Sequence, residues 1–145
     1  MTGLRAVRLD QAALDDMAAT LSAAELPIAD LNEDGCVFFR FDDGDGSIGF
    51  GGLEGDGPDR LLRSVVVAPD RHRAGLGCAI INALECEARA LGVERLHLLT
   101  TTAAAFFRQV GYDDADRGSA PSTVAGSREF TALCPASAAY FTKAL

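Results

Sequence analysis

The sequence has no tryptophan and one lysine, and it lacks an apolar run long enough to cross a membrane. A membrane-spanning helix needs about 18 or more consecutive apolar residues. Arg5 and Arg8 interrupt the first ten residues, which do not contain the apolar centre of a secretion signal. Hydrophobic residues still make up 48% of the 145 residues, enough for a packed core. We therefore expect one cytoplasmic domain over residues 1–145, with no membrane partner.

Basic residues are scarce. Twelve arginines and Lys143 stand against 21 acidic residues, which gives a formal net charge of −8. Nucleic-acid binding needs a basic surface, so the composition argues against that class of protein. A polyanionic ligand would need a local cradle of basic side chains or backbone amides.

Four cysteines, at positions 36, 78, 86 and 134, form no C-x-x-C pair and no zinc-type spacing. Cys78 and Cys86 lie eight residues apart on a predicted helix, which is too far for a disulfide. We interpret the cysteines as small core residues in a reducing cell, and we expect no metal site.

The spacing of apolar residues predicts strands that alternate with helices. The predicted strands cover residues 3–9, 36–42, 47–54, 61–67, 95–100 and 139–145, and the helices cover 10–24, 75–91 and 103–110. The segment 112–136 has a mixed pattern, with a short helix indicated from Pro121. The near-continuous apolar run at 61–67 is typical of a strand covered on both faces. This order predicts an α/β fold with a central mixed twisted sheet and helices on both faces.

Two glycine- and acid-containing patterns resemble ligand loops only in part. Residues 30–35 match the opening half of a calcium-binding loop, but its twelfth position is Phe41 and a strand follows. The G-D-G-S-I-G pattern at 44–49 lies in a predicted hairpin and does not precede a helix. Its glycines are expected to provide turn conformations with positive φ.

A third pattern is better placed for binding an anion. The strand at 61–67 leads through Pro69 into R-H-R-A-G-L-G at 71–77, and the strongest predicted helix follows. The first N–H groups of a helix have no partners within the helix, and the helix dipole favours negative charge there. Gly75 and Gly77 let the main chain approach phosphate oxygens closely. The sequence thus predicts a phosphate cradle here.

The same residues resemble a known family. V-V-V-A-P at 65–69 followed by H-R-A-G-L-G at 72–77 is similar to motif A of the GNAT acetyltransferases, Q/R-x-x-G-x-G/A, with His72 where Gln or Arg is usual. T-T-T-A-A-A-F-F-R-Q-V-G-Y at 100–112 resembles the family segment N-x-x-A-x-x-x-Y-x-x-x-G-F/Y. The resemblance implies the GNAT fold and acetyl-CoA as co-substrate.

A narrower resemblance extends over most of the chain. The strings at 62–67, 99–103, 106–107 and 129–138 are similar to a GNAT subfamily encoded in arsenic-resistance operons. It implies acetyl transfer to the primary amine of a small polar, amino-acid-like molecule, with a link to arsenic resistance. It also implies a monomer or a homodimer, to which the closing strand would contribute.

In this family two central parallel strands separate, and the pantetheine arm of acetyl-CoA bonds to backbone in the gap like an added strand. Here those strands are the ones at 61–67 and 95–100. The resemblance assigns main-chain contacts with acetyl-CoA to Val65, Val66, Val67, Arg73, Ala74, Gly75, Leu76, Gly77 and Cys78, and further contacts to Thr100 and Phe106. Thr100 stands in the place of an Asn that often contacts pantetheine.

The chemistry requires an amine without its proton, and a free alkyl ammonium titrates near ~10, so a base is needed. The strand at 61–67 carries no acidic residue, and Glu54 is the best carboxylate for this role. Ser64 is the second candidate catalytic residue, and Glu129 is the third choice of base. Many family members protonate the CoA thiolate with a Tyr, but Phe107 holds that position and Tyr112 has the nearest hydroxyl.

The candidate acceptor-binding residues are Arg63, Phe107, Glu129 and Cys134. The Arg63 guanidinium suits the carboxylate of an amino acid, but an ion pair with Asp59 or Glu54 on the surface is an equal alternative. Trivalent arsenic prefers thiolates. The alternative function is therefore a non-catalytic acyl-CoA-binding protein, or one that binds arsenicals through Cys134.

Overall fold

The computed structural model describes residues 4–10, 14–24, 35–44, 46–55, 57–68, 75–127 and 138–145. Several predicted features lie outside these ranges. They are most of the calcium-like pattern at 30–35 and the site candidates Arg73, Ala74, Glu129 and Cys134.

The described residues form seven strands and four α-helices in an alternating order. The strands are β1 (Arg5–Arg8), β2 (Cys36–Asp43), β3 (Gly46–Glu54), β4 (Asp59–Val67), β5 (Arg95–Thr100), β6 (Asp113–Ala115) and β7 (Ala139–Ala144). The helices are α1 (Leu14–Ala23), α2 (Leu76–Ala90), α3 (Ala104–Gln109) and α4 (Ser122–Ala125). A single 3₁₀ turn at Arg117–Ser119 precedes α4.

The strands form one mixed sheet in the order β1-β2-β3-β4-β5-β7-β6. Strands β1 to β4 pair antiparallel, β5 joins β4 in parallel, and β7 lies antiparallel between β5 and β6. The predicted α/β fold with a mixed sheet is therefore confirmed. The sequence did not predict β6, because its residues D-D-A have no strand pattern and are held only by pairing with β7.

Helices cover both faces of the sheet. On one face α2 buries Ile80, Ile81 and Leu84, which belong to the main apolar cluster together with strand residues such as Leu62 and Leu98. On the other face α1 packs Met17 and Leu21 against the aromatic and aliphatic residues Phe38, Phe50 and Val66. As predicted, β4 is buried on both faces: Leu62 faces the first cluster and Val66 the second.

Two of the three hairpin glycines have the predicted positive φ, 118° at Gly46 and 156° at Gly49, whereas Gly44 does not. The prediction of core cysteines is wrong for Cys78 and Cys86, whereas Cys36 packs against the second apolar cluster. Cys78 and Cys86 are exposed on α2 and Cys36 is half-buried. The apolar stripe of α2 lies on the opposite side of the helix, so both thiols face solvent.

Candidate active site

The parallel strands β4 and β5 pair over only part of their length. The register runs from Asp59 opposite Arg95 to Leu61 opposite His97 and then stops. Strand β4 nevertheless continues to Val67 and β5 to Thr100. The two strands therefore separate towards their carboxyl ends, where an extended arm can pair with β4 as an added strand.

A β-bulge lies on β4 beside this opening. Gly52 of β3 pairs with Arg63 and Phe50 pairs with Val66, so β4 holds one residue more than its partner. Ser64 has a φ of 59°, and it is the one non-glycine residue with positive φ that the structure describes. Such strain persists where the surrounding structure enforces it, often at functional sites. The bulge redirects the backbone at the start of the predicted pantetheine segment, Val65 to Val67.

The structure brings three candidate residues together at this bulge. Arg63 Nη1 lies 2.8 Å from Glu54 Oε1, and Arg63 Nε donates to Ser64 Oγ at 3.1 Å. The Arg63 guanidinium also stacks over the Phe38 ring at 5.7 Å. The Arg63 side chain is 0% exposed and that of Glu54 is 17% exposed. Of the two ion pairs left open as alternatives, the one with Glu54 exists, with the Arg63 side chain buried and the Glu54 side chain partly exposed.

Helix α2 begins without a side-chain cap. Gly75 precedes it in the left-handed conformation, with a φ of 90°, and no side chain of the described ranges bonds to the first N–H groups. Phe106 of α3 lies over this end, since a Cβ on Gly77 would stand 3.2 Å from Phe106 Cζ. Leu76 is half-buried and Cys78 is exposed in this first turn. The described part of the predicted phosphate cradle therefore has unsatisfied helix amides and a close aromatic neighbour.

Thr100 has a local structural role in the described chain. Its Oγ1 accepts from the N–H groups of Ala103 at 3.0 Å and Thr102 at 3.4 Å, which caps the start of α3. The hydroxyl proton remains able to donate to a ligand in the opening.

Phe107 and Tyr112 belong to the core. Phe107 is 7% exposed and contacts Phe106, Tyr112 and Phe141 through its ring. The Tyr112 hydroxyl donates to Glu85 Oε2 at 3.0 Å. Burial raises the pKa of Tyr112, and the Glu85 carboxylate raises it further. The hydroxyl stays protonated and directs its hydrogen bond to Glu85. The geometry therefore favours a structural role for Tyr112 over that of the acid that protonates the CoA thiolate.

The sequence analysis missed His97. This buried residue of β5 lies with Nδ1 2.6 Å from Tyr140 Oη and Nε2 2.8 Å from Asp59 Oδ1. A single histidine within the apolar strand R-L-H-L-L-T carries no motif. Its partners lie 38 and 43 residues away in the sequence, so only the register of β4, β5 and β7 reveals the group.

The family model described as "Acetyltransferase (GNAT) domain" matches residues 33–114. This match covers more than half of the chain. The chain belongs to the GNAT acetyltransferase family. The matched residues are those of an acetyltransferase domain. A search of curated protein sequences gave no significant match.

Solved structures share the fold at low sequence identity. N-acetylglutamate synthase from Neisseria gonorrhoeae, complexed with coenzyme A and L-arginine, has a TM-score of 0.77 at 15% identity, over 98% of this chain and 33% of that one. Rv2747 from Mycobacterium tuberculosis, in complex with CoA, has a TM-score of 0.75 at 19% identity, over 97% and 99%. A mutant spermidine N-acetyltransferase from Vibrio cholerae has a TM-score of 0.70 at 11% identity, over 97% and 93%. The chain thus spans a third of the synthase.

The described residues fit acetyl-CoA. The opening between β4 and β5 exposes strand backbone to a pantetheine arm, and the start of α2 offers amides to a pyrophosphate. No helix in the described ranges is long and apolar enough to cross a membrane. Within the same ranges no group of His, Cys, Asp and Glu side chains is arranged to hold a metal ion.

Proposed function

We propose that the protein transfers the acetyl group of acetyl-CoA to the primary amine of a small, amino-acid-like molecule. The observation that carries the proposal is the buried Arg63–Glu54 pair beside the bulge of β4. An amino acid carries an ammonium and a carboxylate, and this pair presents the complement of each. A buried guanidinium next to an open strand pair is suited to a planar carboxylate, because its donors form a rigid fork.

In this proposal the main chain of Val65 to Val67 binds the pantetheine arm. The first turn of α2, from Gly75 to Cys78, holds the pyrophosphate through its amides together with Arg73 and Ala74. Phe106 contacts the same end of acetyl-CoA, and Thr100 donates its hydroxyl proton into the opening. Acetyl-CoA supplies the activated acetyl group as a thioester.

The acceptor reaches the site as an ammonium and must lose a proton before it can attack. Glu54 is the proposed base. Its side chain is 17% exposed, so it meets solvent and exchanges the proton with water. Arg63 holds Glu54 in place through their ion pair, and the Ser64 hydroxyl accepts from Arg63 Nε on the other side of the guanidinium. Phe107 lies in the core and supplies no proton to the departing thiolate.

The proposed acceptor class, an amine, agrees with the names of two structural neighbours. The synthase and the spermidine enzyme are both named for acetylated amines, one an amino acid and the other a polyamine. The resemblance to the arsenic-resistance subfamily narrows our proposal to an arsenic-linked amino acid and a cytoplasmic enzyme. Glu129 and Cys134 are proposed to line the acceptor end.

The experiment is release of free CoA thiol from acetyl-CoA against L-glutamate, L-glutamine, L-methionine, spermidine and an arsenic-containing glutamate analogue. We expect the amino acids to support turnover and the arsenical to give the highest kcat/KM. In Arg63→Lys the acceptor KM should rise while the KM for acetyl-CoA stays constant. A preference for spermidine would contradict the proposed acceptor class.

Absence of turnover with every amine would favour the non-catalytic alternative. Arsenite binding that disappears in Cys134→Ala but persists in Cys86→Ala would then assign a thiol-based role. Cys86 is a suitable control because it is an exposed thiol on α2.

A further inference from the structure

Asp59, His97 and Tyr140 form a continuous hydrogen-bonded chain through the sheet. His97 is 2% exposed, and both of its ring nitrogens are engaged, Nδ1 with Tyr140 and Nε2 with Asp59. The rings of His97 and Tyr140 stack at an interplanar angle of 8°. The Asp59 side chain is 33% exposed, whereas Tyr140 is 4% exposed. The chain therefore leads from the interior to solvent.

The polarity of this chain follows from its carboxylate end. Asp59 as a carboxylate only accepts hydrogen bonds, so His97 Nε2 carries the proton of the neutral ring. His97 Nδ1 is then an acceptor, and the Tyr140 hydroxyl donates to it. A hydroxyl oxygen that donates its own proton to His97 can itself accept a proton. This is the arrangement by which a carboxylate and a histidine activate a hydroxyl.

The hydrogen-bonded group of Asp59, His97 and Tyr140 lies where β4 and β5 separate. His97 is opposite Leu61, the last paired residue of β4, and Tyr140 of β7 is opposite Leu99, two residues closer to the open end. Side chains alternate along a strand, so Leu61 and Arg63 point to the same face of the sheet. His97 is opposite Leu61 in the register of β4 and β5, so it points to that face as well. The relay and the Arg63–Glu54 pair thus occupy the same face of the sheet.

We propose that Asp59–His97–Tyr140 is a proton relay for acetyl transfer, an inference that rests on the proposed function. An acceptor ammonium loses two protons on its way to the amide, and Glu54 takes the first. The amine nitrogen then bonds to the acetyl carbon, and the C–S bond breaks with its electron pair on sulfur. The second nitrogen proton passes through water to Tyr140 Oη, the Tyr140 proton passes to His97 Nδ1, and the Nε2 proton leaves through Asp59. His97 and Asp59 are positioning residues in this scheme.

The test compares Tyr140→Phe with Tyr112→Phe, using the amine with the highest wild-type turnover in the panel above. Both variants remove one buried hydroxyl from a hydrogen bond and keep the ring, but only Tyr140 belongs to the relay. We expect kcat at pH 7 to fall about 100-fold in Tyr140→Phe, within the range of general acid–base catalysis. The KM for acetyl-CoA should not change, and Tyr112→Phe should keep the wild-type kcat.

Asp59→Asn tests the polarity of the relay. The sequence has two histidines, so the variant His72→Gln labelled with ¹⁵N-histidine reports His97 alone. We expect the Nε2–H tautomer in this background and its loss when Asp59→Asn is added. Among the described residues the charged groups nearest to Tyr140 are Asp59 and Arg95. Asp59→Asn should also lower kcat and shift its pH profile.

Equal kcat values in Tyr140→Phe and Tyr112→Phe would overturn the relay. So would an Nδ1–H tautomer of His97 in the His72→Gln protein. Absence of wild-type turnover with every amine would overturn the proposed function together with the relay. Normal turnover that is insensitive to Tyr140→Phe and Asp59→Asn would overturn the relay alone.

Discussion

Arg63 shows how burial changes the role of a side chain that looks ordinary in the sequence. Its guanidinium is removed from water, and it is compensated by Glu54, by the Ser64 hydroxyl and by the Phe38 ring. Desolvation of a charge is costly, so the group is stable only while these partners remain. The proposed substrate recognition and the stability of β4 therefore depend on the same side chain.

Glu54→Gln is expected to destabilise the protein. Breaking a buried ion pair costs about 3–5 kcal/mol, and partial exposure of Glu54 puts the expected loss near the lower end, about 3 kcal/mol. Urea denaturation measures the difference. The control is Asp42→Asn, which breaks the more exposed Arg40–Asp42 pair and should cost less than about 1 kcal/mol. Equal losses of unfolding free energy in Glu54→Gln and Asp42→Asn would show that Arg63 does not need a charged partner.

Gly77→Glu tests the phosphate cradle at the start of α2. A carboxylate there would repel the pyrophosphate, so we expect the KM for acetyl-CoA to rise at least about tenfold, which corresponds to about 1.4 kcal/mol. A Cβ at Gly77 already approaches Phe106 at 3.2 Å, and Gly77→Gln controls for this steric effect without the charge. Steady-state kinetics with both variants separate charge from size. Identical KM values would place the pyrophosphate elsewhere.

At the scale of elements, one buried charge cluster joins α2, β7 and the end of α3. Lys143 Nζ lies 3.0 Å from Glu85 Oε2 and donates to the Val110 carbonyl at 3.2 Å. Tyr112 donates to the same carboxylate. The cluster therefore ties α2 to β7 and to the residue that follows α3.

Lys143→Met should destabilise the protein because it leaves the Glu85 carboxylate buried without its cation. The Glu85 side chain is 4% exposed, and removal of one partner from a buried pair costs about 3–5 kcal/mol. The double variant Glu85→Gln/Lys143→Met removes both charges and should recover part of the loss. Urea denaturation of the three proteins gives the comparison. A double variant that is less stable than Lys143→Met would contradict a buried, charge-driven cluster.

At the scale of the whole molecule, the net charge of −8 does not indicate the local charge at the proposed acetyl-CoA site. Backbone amides at the start of a helix can bind phosphate irrespective of the average charge, which is the role we propose for the start of α2. The acidic surface affects solubility and association rates more than ligand choice.

Both tyrosines of the chain are buried, so we expect their hydroxyls to lose their protons at a higher pH in the folded protein than exposed tyrosines do.

The two tyrosines should not ionise near their ordinary pKa of 10.0 in the folded protein. Burial raises the pKa of Tyr112 and of Tyr140, with contributions from Glu85 and Asp59 respectively. The folded state then binds more protons than the unfolded state above pH 10, so the free energy of unfolding should decrease as pH rises beyond that value. Phenolate absorbance of folded and urea-unfolded protein checks this. Superimposable titration curves would contradict the burial of both hydroxyls.

Much of the architecture follows from local patterns. Strand β5 was predicted with its observed limits, and α2 within one residue at each end, because both have clear apolar periodicity and glycine or polar boundaries. Strand β6 was not predicted, since its residues D-D-A have no strand pattern and form a strand only by pairing with β7. In the site, the motif located the start of α2, but nothing local indicated that Arg63 is buried or that His97 has two partners.

The sequence by itself determined the family, the order of elements and the position of the acetyl-CoA motif, because these depend on residues close together in the chain. The tertiary structure decided which side chains meet at the opening of β4 and β5. Glu54 pairs with Arg63 across two strands, and His97 joins Asp59 and Tyr140 across three. Such contacts depend on strand register, which is established only when distant segments pair.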